Sequence, residues 1–416
     1  MKLLIAIPAL NEEDSIESTI ARSLEAREHI CRNAPVDEVE ITVVSDGSTD
    51  RTVERAGKYT DQIKLIVFPQ NKGYGAAIKE AWRQSDADLL AFLDADGTCD
   101  PNFFAALCAH LIQRDADVVL GCRLNQDSQM PAIRRLGNAV FAVLLSLFSS
   151  SRVRDTASGM RVVRRSSLGK LFPLPDGLHF TPAMSARAML SDTVRIVEID
   201  MPYHERAGES KLRVARDGMR FLKVIVEAAF LYRPARLLGM MSAILFLAAA
   251  VLMAQPTWYY VQHRAVPQWM IYRFLVSDLF GIGAVLLFSA SYLAYRMVSI
   301  ALTHEVTESY RHWSALIFRS RWFWFLPAAF TAVGAALVWH SVLQRLRTGG
   351  TYEHWSHYVV MTFFFSAALI LLVTRGIEYV LSLVAERVQY LNRSVLREPR
   401  SASWAPARLA AVSRQE

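Results

Sequence analysis

Four apolar stretches in the C-terminal half, near residues 237–254, 274–295, 323–343 and 359–384, constrain this chain more than any other feature. A helix needs roughly 20 residues to cross about 30 Å of hydrocarbon, so these runs predict a membrane region of four helices. The net charge of +7 over 416 residues follows the same division. Residues 236–416 hold 16 Lys and Arg against 8 Asp and Glu, whereas residues 1–235 are close to neutral. A neutral soluble half offers no phosphate-tracking stripe, which argues against nucleic-acid binding.

Orientation follows from the basic residues beside each span. Arg296, Arg311, Arg319 and Arg321 lie between the second and third spans, and Arg387, Arg393, Arg397, Arg400, Arg408 and Arg414 follow the fourth. The other two loops carry fewer, and Trp258, Tyr259, Tyr260, Trp269 and Tyr272 supply an interfacial belt to the first of them. Both termini are therefore expected in the cytoplasm. Asp278 is expected about one turn inside its span, and Arg375 and Glu378 one turn apart near an end, so that snorkelling or local pairing accounts for these charges. The N-terminal apolar run ends at Pro8 and lacks a signal-peptide pattern. Cys31, Cys99, Cys108 and Cys122 include no C-x-x-C pair and read as buried reduced thiols.

Two further segments have an interfacial pattern. Residues 211–230 place Arg213, Arg216, Arg220 and Lys223 on one helical face and Ala215, Met219, Leu222 and Val226 on another, as in a helix lying on an anionic leaflet. Ala139–Phe148 is too short to span, and fits a core helix or one dipping into the bilayer surface equally well.

From Lys2 onward, short β-rich runs (LLIAIP, VEITVVSD, IKLIVFP, DLLAFLDAD) alternate with helical patterns at Asp14–Ala26, Arg51–Thr60 and Tyr74–Ser85. Such alternation predicts an α/β unit with a largely parallel sheet, whose ligands bind beyond the carboxyl ends of the strands. Four of those ends carry polar, turn-forming clusters: Pro8–Glu12, Asp46–Asp50, Asn71–Gly75 and Asp94–Gly97. Any one could be an ordinary turn or helix cap. Their recurrence at successive strand ends points to a site. The Asp94-x-Asp96 pair offers two hard oxygen ligands for a divalent ion held together with phosphates. Neither G-x-x-x-x-G-K-[ST] nor G-x-G-x-x-G after the first strand is present, which disfavours phosphate-loop hydrolysis and dinucleotide redox chemistry.

IPALNEEDSI, VVSDGSTDRT, NKGYGAAIKEA and LDADG resemble the four signature segments of family 2 glycosyltransferases with the GT-A fold. SGMRVVRR and YHERAGESKLR, followed by membrane spans, resemble the dolichyl-phosphate mannose synthase and polyprenyl-phosphate glycosyltransferase branch. The resemblance covers about residues 2–235. It implies an α/β GT-A, Rossmann-like cytosolic domain over residues 1–205, and an acceptor loop with an interfacial amphipathic helix over 206–235. An all-α transmembrane region of four helices over 236–385 and a basic, disordered tail over 386–416 would complete the chain.

The resemblance places Pro8, Ala9, Asn11, Glu12 and Asp46 around the nucleotide, with Asp46 accepting from the base. Lys72, Gly73, Ala95 and Arg123 join the nucleotide-sugar site. Asp94 and Asp96 would hold Mg2+ or Mn2+ against the donor diphosphate, making Asp96 catalytic. Arg206, Ser210 and Lys211 fall in an R-x-G-x-S-K phosphate-binding loop, with Arg206 and Lys211 also assigned to catalysis. Asp155 and Arg161 match further acceptor-side positions, although Arg161, Arg164 and Arg165 also read as a solvated or headgroup-facing basic run. Thr98 stands where many members carry a metal-ligating Gln, and Ala183 where they often carry Glu.

The implied reaction is inverting transfer of a hexose from a nucleotide diphosphate sugar, UDP-glucose or GDP-mannose, to undecaprenyl or dolichyl phosphate in the bilayer. The expected location is a bacterial inner membrane, with the catalytic domain in the cytoplasm. No nucleic-acid partner is expected, and a homo-oligomer is compatible with the sequence. Two rivals predict other signs. A processive polysaccharide synthase would need a base for a sugar hydroxyl and resembles its relatives in a Q-x-x-R-W segment, absent here. A nucleotide-sensing transporter would show broken helices near mid-bilayer, for which Gly281 and Gly283 are weak candidates.

Overall fold

The structure, a computed structural model, describes residues 1–125, 130, 132–149, 151–202, 214–301, 317–350 and 354–397. These divide into two compact units, Met1–Ile244 and Leu245–Ala301 with the described residues beyond 316.

The first unit is an α/β domain built on β1 (Lys2–Ala9), α1 (Ile16–Asn33), β2 (Glu38–Ser45), α2 (Thr52–Gly57), β3 (Lys64–Val67), α3 (Tyr74–Arg83) and β4 (Leu89–Phe92). There follow α4 (Phe104–Gln113), β5 (Val118–Cys122), α5 (Ala132–Ser146), β6 (Arg161–Arg164), α6 (Leu168–Leu171), α7 (Phe180–Leu190), β7 (Ile196–Asp200) and α8 (Val214–Tyr232). The sheet order is β3-β2-β1-β4-β6-β5-β7. All neighbours pair in parallel except β6, which runs antiparallel to both β4 and β5. The expected parallel sheet is thus a mixed one.

Leu3 to Ala9 of β1 are all buried. Because successive side chains point to opposite faces, Leu3, Ile5 and Ile7 join the core with Ile16, Ile20 and Phe104, while Leu4 and Ala6 join Ile78, Trp82, Phe92 and Phe180 on the other face. Helices cover both faces, so the strands are mostly apolar and the polar clusters gather where they end. β1 is flanked by β2 on one side and β4 on the other, so strand order reverses there and the three carboxyl ends open onto one crevice. Asp46 N–H donates to the Ala9 carbonyl and Leu93 N–H to that of Ala6, which carries the sheet into the loops.

α5 and α8 pack on each other through Phe141 and Phe221, whose rings meet edge to face. The inward side of α8 is Phe221, Ile225, Ala228 and Ala229. Met219, Val226 and Phe230 are exposed on α8, as are Ile133, Leu136, Val140, Val143 and Leu147 on and just beyond α5. α5 thus has one face in the core, as a core helix requires, and the other bare.

Four helical segments, Pro234–His263, Gln268–Ala301, Arg321–Thr348 and Trp355–Tyr390, are long and apolar enough to cross a membrane, and each contains one expected span. They correspond to α9 (Pro234–His263), α10 (Ile271–Ala301), α11 (Phe325–Thr348) and α12 (Trp355–Arg397). α10 runs unbroken through Gly281 and Gly283, and Gly281 lies against the Phe363 ring, so these glycines serve packing. Glu378 does not pair with Arg375. Its carboxylate meets Arg296 of α10 at 3.1 Å and Arg319 at 3.8 Å, while Arg375 donates to the Phe318 carbonyl. Asp278 is the eighth residue of α10.

Candidate active site

The ends of β1 and β2 are tied together by side chain to backbone hydrogen bonds. Asn11 has a left-handed backbone, φ 49°, which Asn tolerates better than most residues. Its Oδ1 accepts from Thr49 N–H at 2.8 Å and its own N–H donates to Ser48 Oγ. Glu12 N–H donates to Thr52 Oγ1. Asn11 is thus a brace between two loops and not the cap of α1, whose N-cap is Ser15.

Asp46, 3 % exposed, turns its carboxylate to the Asn71–Gly75 loop. Oδ1 accepts from Lys72 N–H at 2.7 Å and Oδ2 from Gly73 N–H at 2.9 Å. Burial raises this carboxyl above its ordinary range against the pull of those donors. Gly73 is obligatory on two counts: its φ is +111°, and a Cβ would lie 2.3 Å from the Asp176 carbonyl oxygen. Gly75 and Ala76 N–H both donate to that same carbonyl, so the loop before α7 caps α3. The Lys72 ammonium lies 4.4 Å from the centroid of the Phe68 ring.

At the end of β4, Tyr74 Oη donates to Asp94 Oδ1 at 2.7 Å. Burial, then the charge of Asp94, pushes the Tyr74 phenol well above its usual value, so it stays a donor at neutral pH. Asp96 Oδ1 accepts from Thr98 Oγ1 at 2.7 Å and from Thr98 N–H at 3.2 Å. The intervening Ala95 carbonyl accepts from Thr19 Oγ1 of α1. Thr98, standing where the family pattern often has Gln, thus supports Asp96. Two hard carboxylates suit Mg2+ or Mn2+, and among the described residues no group of three or more His, Cys, Asp and Glu could hold a metal unaided. Water or a ligand phosphate would complete the shell.

Beyond β5, Arg123 makes a bidentate pair with Asp155: Nε to Oδ2 at 2.7 Å and Nη2 to Oδ1 at 2.9 Å. Burial opposes the charge on Asp155, but the charge and hydrogen bonds of Arg123, with one from Asn138, outweigh it and hold the carboxyl below its usual range. Asn138 comes from α5, donates to Asp155 Oδ1 and accepts from Thr156 N–H and Oγ1. Arg161 departs from expectation. It is fully buried, donating to the Ser158 and Thr156 carbonyls, and burial lowers its guanidinium to about 10. From inside the domain it holds the 156–158 loop. Arg165 likewise binds the Ala87 and Ser85 carbonyls, and the partly exposed Arg164 meets the Ala116 carbonyl and Asp115 at 3.4 Å, so this run does not form one solvated strip.

The crevice therefore brings together Pro8, Ala9, Asn11, Glu12 and Asp46 by one set of strand ends and Asp94, Ala95 and Asp96 by the next, with Lys72 and Gly73 bonded to Asp46. Arg206, Ser210 and Lys211 lie outside the described residues. Tyr74, Gly159, Asn138 and Thr156 were not foreseen. Tyr74 and Gly159 sat inside the quoted motifs, but only the fold brings them to Asp94.

Glycosyl transferase family 2 matches residues 4–172. The low-salt glycan biosynthesis hexosyltransferase Agl6 of Haloferax volcanii is 32% identical over 55% of this chain, which spans about half, 54%, of that relative's length. The dolichyl-phosphate hexose transferase of the same organism is 31% identical over 54% of this chain and 92% of its own. The dodecaprenyl-phosphate galacturonate synthase of Rhizobium johnstonii is 24% identical over 57% of this chain and 69% of its own. With its mixed-sheet α/β domain and the apolar helices that follow it in sequence, this chain belongs to glycosyl transferase family 2.

Proposed function

We propose that the chain transfers a hexose, with inversion, from a nucleotide diphosphate sugar to a polyprenyl phosphate at the cytoplasmic membrane face. UDP-glucose and GDP-mannose are the donors tested first. The observation that carries this reading is the kinship with a dolichyl-phosphate hexose transferase over 92% of that protein's length.

A phosphate monoester is already anionic near neutral pH, its second pKa being about 6, so the acceptor needs no strong base. The protein's tasks are to align that anion with the anomeric carbon, to shield its charge and to steady the departing diphosphate. Asp46, held by the Lys72 and Gly73 N–H groups, keeps two accepting oxygens at the nucleotide crevice. Asp94 and Asp96 would hold Mg2+ or Mn2+, which when bound neutralises the leaving group. Arg123, fixed by Asp155, supplies a guanidinium for phosphate, and Arg206, Ser210 and Lys211 are assigned to the acceptor side. The bare apolar stripes of α5 and α8 suit contact with the leaflet that carries the lipid. In-line displacement on an α-linked donor gives a β-linked product.

The test is a panel of nucleotide sugars given to the purified full chain with Mn2+ or Mg2+ and polyprenyl phosphate. One lipid product, heavier by a single hexose residue, is expected with one donor. Polymer, or donor hydrolysis without a lipid product, would overturn the reading. Asp96→Asn should lower the rate at least about a hundredfold in protein that still folds and inserts.

A further inference from the structure

We propose that Tyr74 and Thr98 are positioning residues that each fix one oxygen of the Asp94 and Asp96 carboxylates, so that the pair is oriented for a divalent cation before any substrate arrives. The inference rests on the metal-holding role given to that pair above, and concerns only how this chain prepares it.

Two carboxylates two residues apart in a loop repel each other, and a short side chain on irregular backbone has rotamers to spare. Holding both toward one point requires anchors outside the pair. Tyr74 supplies the first. Its ring is wedged edge-on against Phe92 at 6.4 Å and Phe180 at 6.5 Å between centroids, so the hydroxyl has a set position from which it reaches Asp94 Oδ1. Across the same carboxylate lies Gly159, where a Cβ would come within 1.8 Å of Asp94 Oδ2. Asp94 is thus held between a phenol from the start of α3 and bare backbone ahead of β6, two segments far apart in sequence.

Thr98 supplies the second anchor. It is 1 % exposed, and both its hydroxyl and its N–H point to Asp96 Oδ1. A carboxylate offers about four lone-pair sites, so accepting from Tyr74 or from Thr98 does not by itself exhaust it. Outer partners of this kind orient ligands, and their loss typically costs about 10- to 100-fold in metal affinity.

The test measures cation binding without turnover. The full chain in detergent, with no acceptor lipid, is titrated with Mn2+ in the presence of UDP and separately of GDP, free Mn2+ being read by electron paramagnetic resonance. Tyr74→Phe keeps the ring in its aromatic contacts and Thr98→Val keeps the shape of the side chain. Each is expected to weaken Mn2+ binding about tenfold or more, with melting in EDTA unchanged, and Thr98→Ser should stay within about threefold of the parent. Parent-like Mn2+ affinity in Tyr74→Phe and Thr98→Val, beside loss in Asp96→Asn, would overturn the positioning role alone. No Mn2+ uptake by the parent with either nucleotide would overturn the metal reading and this inference together.

Discussion

Asp155 shows how one buried side chain can set a site without being at its mouth. It is completely enclosed, yet Arg123, Asn138 and the Arg123 N–H all donate to it. Breaking a buried pair by removing one partner leaves an uncompensated charge, at a cost of about 3–5 kcal/mol. Asp155→Asn should therefore destabilise the first unit at neutral pH, near the low end of that range because the amide still fills the space. The sign with pH follows from the lowered carboxyl. A depressed folded value gives stability that is present above the unfolded value of about 3.9 and is lost as pH falls through the folded value. Denaturation midpoints from pH 7 to pH 3 should thus show the gap between parent and Asp155→Asn narrowing only at the acid end. A gap independent of pH would remove Asp155 as an ionised partner. The strand-end clusters marked Asp46, Asp94 and Asp96, and the family resemblance added Arg123 and Asp155. That Arg161 is sealed inside, or that Tyr74 reaches Asp94, depends on how β6 and α3 pack, which no local pattern encodes.

At the scale of elements, α8 was legible as amphipathic and α5 as an apolar run too short to span, and each has both a buried and a bare apolar face. On α8 the residues read as the apolar side included Met219 and Val226, which are exposed, whereas the face buried in the domain is Phe221, Ile225, Ala228 and Ala229. A helix with two apolar stripes has no single periodicity to report, so sequence cannot say which stripe meets the core. β6 is another such case: a four-residue strand pairs equally well in either direction, and only its place between β4 and β5 makes it antiparallel. The stripe on α5 carries a prediction. Leu136→Glu with Val143→Glu puts charge on exposed positions, so melting of the first unit should shift little. If the stripe meets the leaflet, that charge opposes it. Transfer to long-chain polyprenyl phosphate in vesicles should fall about tenfold while transfer to a short-chain, water-soluble acceptor phosphate stays near the parent rate. Equal rates on the two acceptors, each relative to parent, would detach α5 from the membrane.

For the whole molecule, the charge excess of residues 236–416 predicts an orientation, because Lys and Arg are generally retained on the cytoplasmic side of a span. The four helices could be found from hydropathy alone, since hydrocarbon demands length and apolarity and little else. Their cross-helix ion pair could not, because Glu378 meets Arg296 only after α10 and α12 pack. The orientation is open to a direct measurement on intact cells with a membrane-impermeant maleimide. Cys99, Cys108 and Cys122 are buried and Cys31 half-buried, and burial pushes the Cys99 and Cys108 thiols up to about 12, so background labelling should be low. Arg264→Cys, in the loop between α9 and α10, should be labelled from outside. Ser401→Cys, in the basic tail, should react only after permeabilisation. The opposite result would place the nucleotide crevice on the face away from the cytosol, where nucleotide sugars are made, and with it would fall the proposed donor.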